Sequence, residues 1–312
     1  MSWSDVSPLD SEPAILEMAI GVVVENTLGD GPNVRQAYDA AWLDWEKDPW
    51  RVISFWSEPV IYVPDGDKTL QVEGAEGAQL FDGMGDFHRA ISTKSSQAQA
   101  YFDQGMRYLW AFNHDEATRS FAKAAQDDPQ CAMCYWGVAL TVGPNYNLPM
   151  MVETRAKVAW EALQLAERYA GSAAPVEQGL IRALGSRYQG PQPLDTSNEG
   201  PVLAAYAQAM QEVASKFPHD ADVQTLTAEA MMNVNAWKLW TLDGAPAPGT
   251  EAILTRLQAV LAKSPYHPGA NHYYIHAVEA SPHPEKGLAA AMQLIIMGSI
   301  HCRVVIQRLG LS

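Results

Sequence analysis

His272, His276 and Glu279 are the residues of this chain whose types and spacing are best suited to chemistry. They lie in the run HPGANHYYIHAVEAS at 267–281. On a helix the three share one face. Two imidazoles at i and i+4 can hold one divalent ion if a third ligand arrives from elsewhere, and zinc or a redox metal suits them. The candidates for that ligand are His267 just upstream, His88 in GDFH, His114 in FNH and Glu229 in AEAMMN. Glu279 or Glu229 could act as general base. The competing reading is a packed helix face. HYYIH carries two tyrosines and an isoleucine, and histidine often serves as a hydrogen-bonded structural residue at buried helix contacts. The order HExxH, which would place the base beside the first ligand, is absent.

Three asparagines are the other candidates for ligand contact. Asn145 and Asn147 flank the tyrosine of GPNYN and could present amides to a ligand in a groove. They could equally close their own loop by bonding its backbone. Asn113 stands before DEATRSF, where it can cap a helix. Nucleophilic and nucleotide chemistry find no foothold, because GxSxG, a phosphate loop and GxGxxG are all missing. Cys131 and Cys134 form a lone CxxC at the start of an apolar helical pattern, with no second pair to complete a zinc site. They read as two small core residues on one helix face. Three cysteines, an odd number, argue against a disulfide framework.

The elements that must position these residues are helices. From residue 96 the apolar pattern predicts SQAQAYFDQGMRYLWAF, DEATRSFAKAAQ and DDPQCAMCYWGVAL, then helices over 152–169, 175–188, 200–216, 221–236, 249–263, 269–280 and 284–297. Loops are expected over 189–199 and 242–248. Acids in the first turn of the second helix suit its dipole. Residues 98–131 follow a 34-residue helical-hairpin register. Gly105 stands at the small position, Phe121 at the large one, Ala117 and Ala124 between helices, and Pro129 at the end. The expected fold class is therefore all-α, an α-solenoid of four to five helical hairpins over 79–297, with its first helices lining one concave face.

With LFDGMGDFHRAIST, the hairpin above, GPNYN, AEAMMNVNAWKLW and HPGANHYYIHAVEAS in that order, the chain resembles a family of uncharacterised tetratricopeptide-repeat proteins, mostly bacterial, over about residues 79–290. The resemblance implies a tetratricopeptide solenoid and carries no reaction. It implies a scaffold whose groove holds a protein or peptide. The alternative is a metal-binding protein or metalloenzyme at 272–276. Few basic residues fall on the first helices, Arg107 and Arg182 being the clear ones. That disfavours a clamp for carboxylates of a peptide. After Ala291 the text becomes MQLIIMGSIHCRVVIQRLGLS, which does not resemble a solenoid cap and suggests an altered array end, with 298–312 as a tail.

Charge separates the first quarter of the chain from the rest. Residues 1–78 hold 15 acidic and 4 basic residues, out of a net −15 for the whole. They read as an acidic, tryptophan-rich region with a helix over 34–48, a β-rich hairpin over 51–64 and a linker over 65–86. An acidic chain repels phosphate backbones and anionic lipid, so neither nucleic acid nor membrane is expected as a partner. No basic stretch precedes the short apolar run Met18 to Val24, and no run reaches the ~20 apolar residues of a membrane span. A cytoplasmic location follows as the expectation.

Overall fold

The computed structural model of the chain describes residues 75, 77–148, 153–193 and 196–296. The expected helix over 34–48, the hairpin over 51–64 and the tail over 298–312 lie outside the described residues, as does half of the linker over 65–86. Among the described residues every regular element is a helix. The ten α-helices are α1 (Ser96–Trp110), α2 (His114–Asp127), α3 (Ala132–Thr141), α4 (Glu153–Tyr169), α5 (Pro175–Gly185), α6 (Thr196–Lys216), α7 (Ala221–Asn233), α8 (Thr250–Leu261), α9 (Pro268–Val278) and α10 (Leu288–Ile296). The all-helical expectation therefore holds. Several boundaries differ: α5 ends at Gly185 and α7 at Asn233, each three residues short of its expected end. Helix α6 begins inside the loop expected over 189–199, and a 3-10 turn over Pro284–Gly287 precedes α10.

Local chemistry accounts for the boundaries. Ser95 caps α1 by accepting from the Ala98 N–H, Asn113 caps α2 from Glu116, and Asp220 caps α7 from Val223. Proline opens α5 and α9, where a missing N–H costs nothing. The first hairpin closes tightly because Gly105 and Gly137 both rest on the Phe121 ring. A Cβ at either position would fall within 2.6 Å and 2.4 Å of that ring. Cys131 and Cys134 correct the reading as free core thiols. They form a disulfide across the first turn of α3, both fully buried, with Cys131 as the helix cap.

Consecutive helices pack on one another throughout. The odd-numbered helices also touch one another, α1 on α3, α3 on α5 and α7 on α9. All ten residues of α3 are buried, whereas α2 buries a stripe containing Ala117, Phe121, Ala124 and Ala125. Helix α3 is thus covered on every side and loses the two-faced pattern that α2 keeps. Helix α9 also returns to α1. Gly269 lies flat on the Trp110 ring, and Tyr273 meets the same ring edge-on at 6.3 Å.

The segment before α1 crosses the beginnings of several helices. The Arg89 guanidinium binds Asp220 at 2.9 Å and Asp222 at 2.6 Å, both at the start of α7. The Ser92 N–H donates to Glu177 in the first turn of α5 at 2.8 Å, and the Thr93 hydroxyl donates to Asp128 at 2.5 Å.

Candidate functional site

The ends of the odd helices carry a cluster of rings and buried polar groups. The contributions are Phe112 after α1, Tyr146 after α3, Arg187 and Tyr188 after α5, Glu229 and Asn233 of α7 with Trp237 beyond it, and His272 and His276 of α9. The even helices add first-turn residues, His114 of α2 and Arg155 of α4.

Phe112 stacks on His272 with ring centres 4.0 Å apart and on His276 at 5.1 Å. The two imidazoles stack on each other at 5.0 Å. Tyr146 stacks on Trp237 at 5.1 Å and meets His276 at 5.5 Å. Two backbone features build this arrangement. Among the described residues the only non-glycine positions with positive φ are Phe112 (60°) and Trp237 (59°). Phe112 ends α1 in a Schellman turn. Its N–H bonds Leu109 O and the next N–H bonds Tyr108 O, each at 3.0 Å. Glycine is the usual residue at such a position, and a side chain there costs about 1–2 kcal/mol. Trp237 holds the same left-handed conformation in the turn closed by Lys238 N–H on Asn235 O, and it remains 57% exposed.

The histidines have assigned protons. Nδ1 of His272 donates to Trp110 O at 2.6 Å, since a carbonyl only accepts. Nδ1 of His276 donates to Glu279 at 2.8 Å. His267 lies elsewhere, as the cap of α9. Its Nδ1 accepts from Ala270 N–H, so Nε2 carries the proton and donates to Asp222 at 3.0 Å. Half-exposed His88 binds Asp103 at 2.7 Å, outside the ring cluster. Asn145 accepts from Asn147 and Leu148 N–H and closes its own loop. Asn113 caps α2, and the Asn147 side chain stands exposed.

Beside the rings the polar groups are buried. Arg187 is 1% exposed, lies over the Tyr206 ring at 5.0 Å, and has no partner for Nε or Nη2. Arg155 pairs with Asp115 at 3.0 Å but leaves Nε without a partner. The Nδ1 of His114 and the Oδ1 of Asn233 are buried in the same state. Burial, with Arg155 and Arg187 nearby, pushes the His114 imidazole down to about 3, so it is neutral. Burial raises the Glu229 carboxyl against the pull of Arg187 and of the Asn233 amide that donates to it. Burial likewise raises the phenols of Tyr188, Tyr206 and Tyr273, the first to about 12. The permanent charge of Arg187 thus sits beside a neutral imidazole, neutral phenols and a carboxyl whose ionisation burial opposes.

Of the residues that the sequence marks, the fold gathers His272, His276, His114 and Glu229 here and places His88 and His267 elsewhere. Phe112, Tyr146, Trp237, Arg155 and Arg187 carry no such mark of residue type and spacing. The metal expectation does not survive. Among the described residues no group of three or more His, Cys, Asp or Glu is placed to hold an ion.

Comparison with known proteins corrects more. A family described as alginate export matches residues 27–116, under a third of the chain, and the match ends within this site at Phe112–Glu116. No curated protein and no solved structure matches. The family found is not a tetratricopeptide one, so that resemblance is overturned, and with it the peptide-holding scaffold function. The cytoplasmic expectation does not stand beside a match to an export family. No helix among the described residues is long and apolar enough to cross a membrane.

Proposed function

We propose that the helices stack as pairs in an α-solenoid curled far enough to bring α9 onto α1, and that the ends of its inner helices form a binding site for a saccharide. Sugar rings present polarised C–H groups on their faces, which complement the negative face of an aromatic ring. A few convergent polar groups beside such rings are the usual composition of a small-ligand site. One observation carries the reading. Two large aromatic residues, Phe112 and Trp237, occupy left-handed conformations at the same cluster, and Trp237 keeps over half its surface open. Strain of this kind persists where the surroundings enforce it, and it concentrates at ligand sites. The match to an alginate export family supports the ligand class, because alginate is a polymer of sugar rings.

Calorimetric titration of the full chain with neutral and acidic oligosaccharides tests the reading. Binding is expected, and Trp237→Ala should weaken it about 3–10-fold, the worth of one ring contact. Absence of heat with every oligosaccharide would sink it.

A further inference from the structure

The segment that runs before α1 is held by its main chain. Gln104 of α1 accepts from the Phe81 N–H at 2.9 Å and donates to Gln79 O at 2.7 Å. Gln99 repeats the pattern, accepting from the Ile91 N–H at 3.1 Å and donating to Arg89 O at 2.8 Å. Asp103 accepts from the Arg89 N–H at 3.1 Å, and Nε and Nη2 of Arg107 both donate to Phe87 O. Gln99, Asp103 and Arg107 stand at i, i+4 and i+8, so one face of α1 carries the series. A carboxamide that accepts from an N–H and donates to a C=O does for the backbone what a neighbouring strand would do. Side-chain burial adds little, because Arg89 is the only buried residue over 79–93, and Leu80 and Phe81 are exposed. A segment with few buried apolar contacts opens at a lower free energy than the core. This one nevertheless ties together helix starts that are remote in sequence. Arg89 binds Asp220, which caps α7 at the Val223 N–H, and Asp222, which holds the His267 cap of α9 at the Ala270 N–H. Phe87 meets Trp110 and His267 edge-on, each at 6.1 Å, where α1 ends and α9 begins.

We propose that residues 79–93 act as a latch, an element that opens before the helical core and whose opening loosens the starts of α7 and α9. The latch does not depend on what the rings bind. Hydrogen–deuterium exchange of the full chain, followed in rising urea below its unfolding transition, tests it. In wild type the Phe81, Arg89 and Ile91 amides should exchange through an opening of their own, with a smaller urea dependence than the α3 amides. The Val223 and Ala270 amides should exchange with them. Gln99→Ala combined with Arg107→Ala removes main-chain ties at two half-buried positions where alanine suits a helix. The double variant should speed exchange at all of these amides at least ~10-fold, the worth of a pair of hydrogen bonds, and leave α3 unchanged. Latch amides that open only together with α3 in wild type would make the segment part of the core and overturn the latch. Exchange that the double variant does not accelerate, or accelerates without a change at Val223 and Ala270, overturns it too, since the segment would then be a passive cover. If the double variant fails to fold, the wild-type profile still decides.

Discussion

Two buried arginines in this chain meet opposite circumstances. Arg89 reaches the start of α7 and makes three hydrogen bonds to Asp220 and Asp222, while Asp222 also accepts from His267. Burial works against the Arg89 charge, but the two carboxylates outweigh it and hold the guanidinium firmly protonated. Asp222 is likewise held low, since His267 and Arg89 overcome its burial. Arg187 lies near the end of α7, with a ring beneath it and a carboxyl that burial pushes toward neutrality. The same residue type is a structural tie in one place and an unspent donor in the other. What differs is whether the chain supplies a carboxylate within ion-pair reach.

The comparison can be broken most directly by removing each charge. Arg89→Met should cost about 3–5 kcal/mol, because it strands a buried Asp222 without its cation. Arg187→Met, with no ion pair to lose, should be neutral or stabilising by about 1–4 kcal/mol. Urea unfolding of both variants checks this, and a loss at Arg187 as large as that at Arg89 would mean that both are ties. Next in size is Gly269→Ala. Its Cβ would meet the Trp110 ring at 2.3 Å, and the variant should lose about 1–3 kcal/mol from overpacking.

Acid sharpens the same contrast. The folded pKa of His114 is depressed to about 3 from the usual 6.5, so the unfolded chain takes up the proton first. The stability it confers is complete above 6.5 and drains away as pH falls toward 3. Asp222, also depressed, contributes in the same sense only below about 4. Glu229 is raised, so its contribution runs the other way and fades as pH climbs above its unfolded value. Urea midpoints of wild type should therefore fall between pH 6.5 and 5, and His114→Gln should flatten that slope. The smallest effect is expected at Trp237→Gly, which relieves a left-handed backbone at an exposed site. It should add up to about 1 kcal/mol of stability while weakening saccharide binding, a trade readable from thermal melts and titration on one sample.

Helices were legible because their signals are local. Capping residues, a register of small and large residues at Gly105 and Phe121, and terminating prolines lie within a few turns of one another. The site was half legible for a similar reason. In GPNYN the amides of Asn145 and Asn147, and in FNH Asn113 and His114, advertise chemistry by residue type. Tyr146 and Phe112, between or beside them, form part of the platform. An aromatic residue where a helix-ending turn would ordinarily take glycine is a readable signal, and AFNHD displays it at Phe112. Arg187 gives no such warning. Its importance depends on what fails to lie near it, and a sequence cannot state that. The metal reading failed on the same ground, because spacing places His272 and His276 on one face but says nothing of a third ligand.

The return of α9 to the Trp110 end of α1 joins residues about 160 positions apart. In an open helical array each hairpin leans only on its neighbours, so folding can start anywhere and the ends fray independently. A closing contact of that span must wait until the intervening chain is organised, and its loop entropy slows the last step. Since His272 donates to Trp110 O across this closure, the ring platform should gain amide-exchange protection last during refolding and lose it first as the ends part.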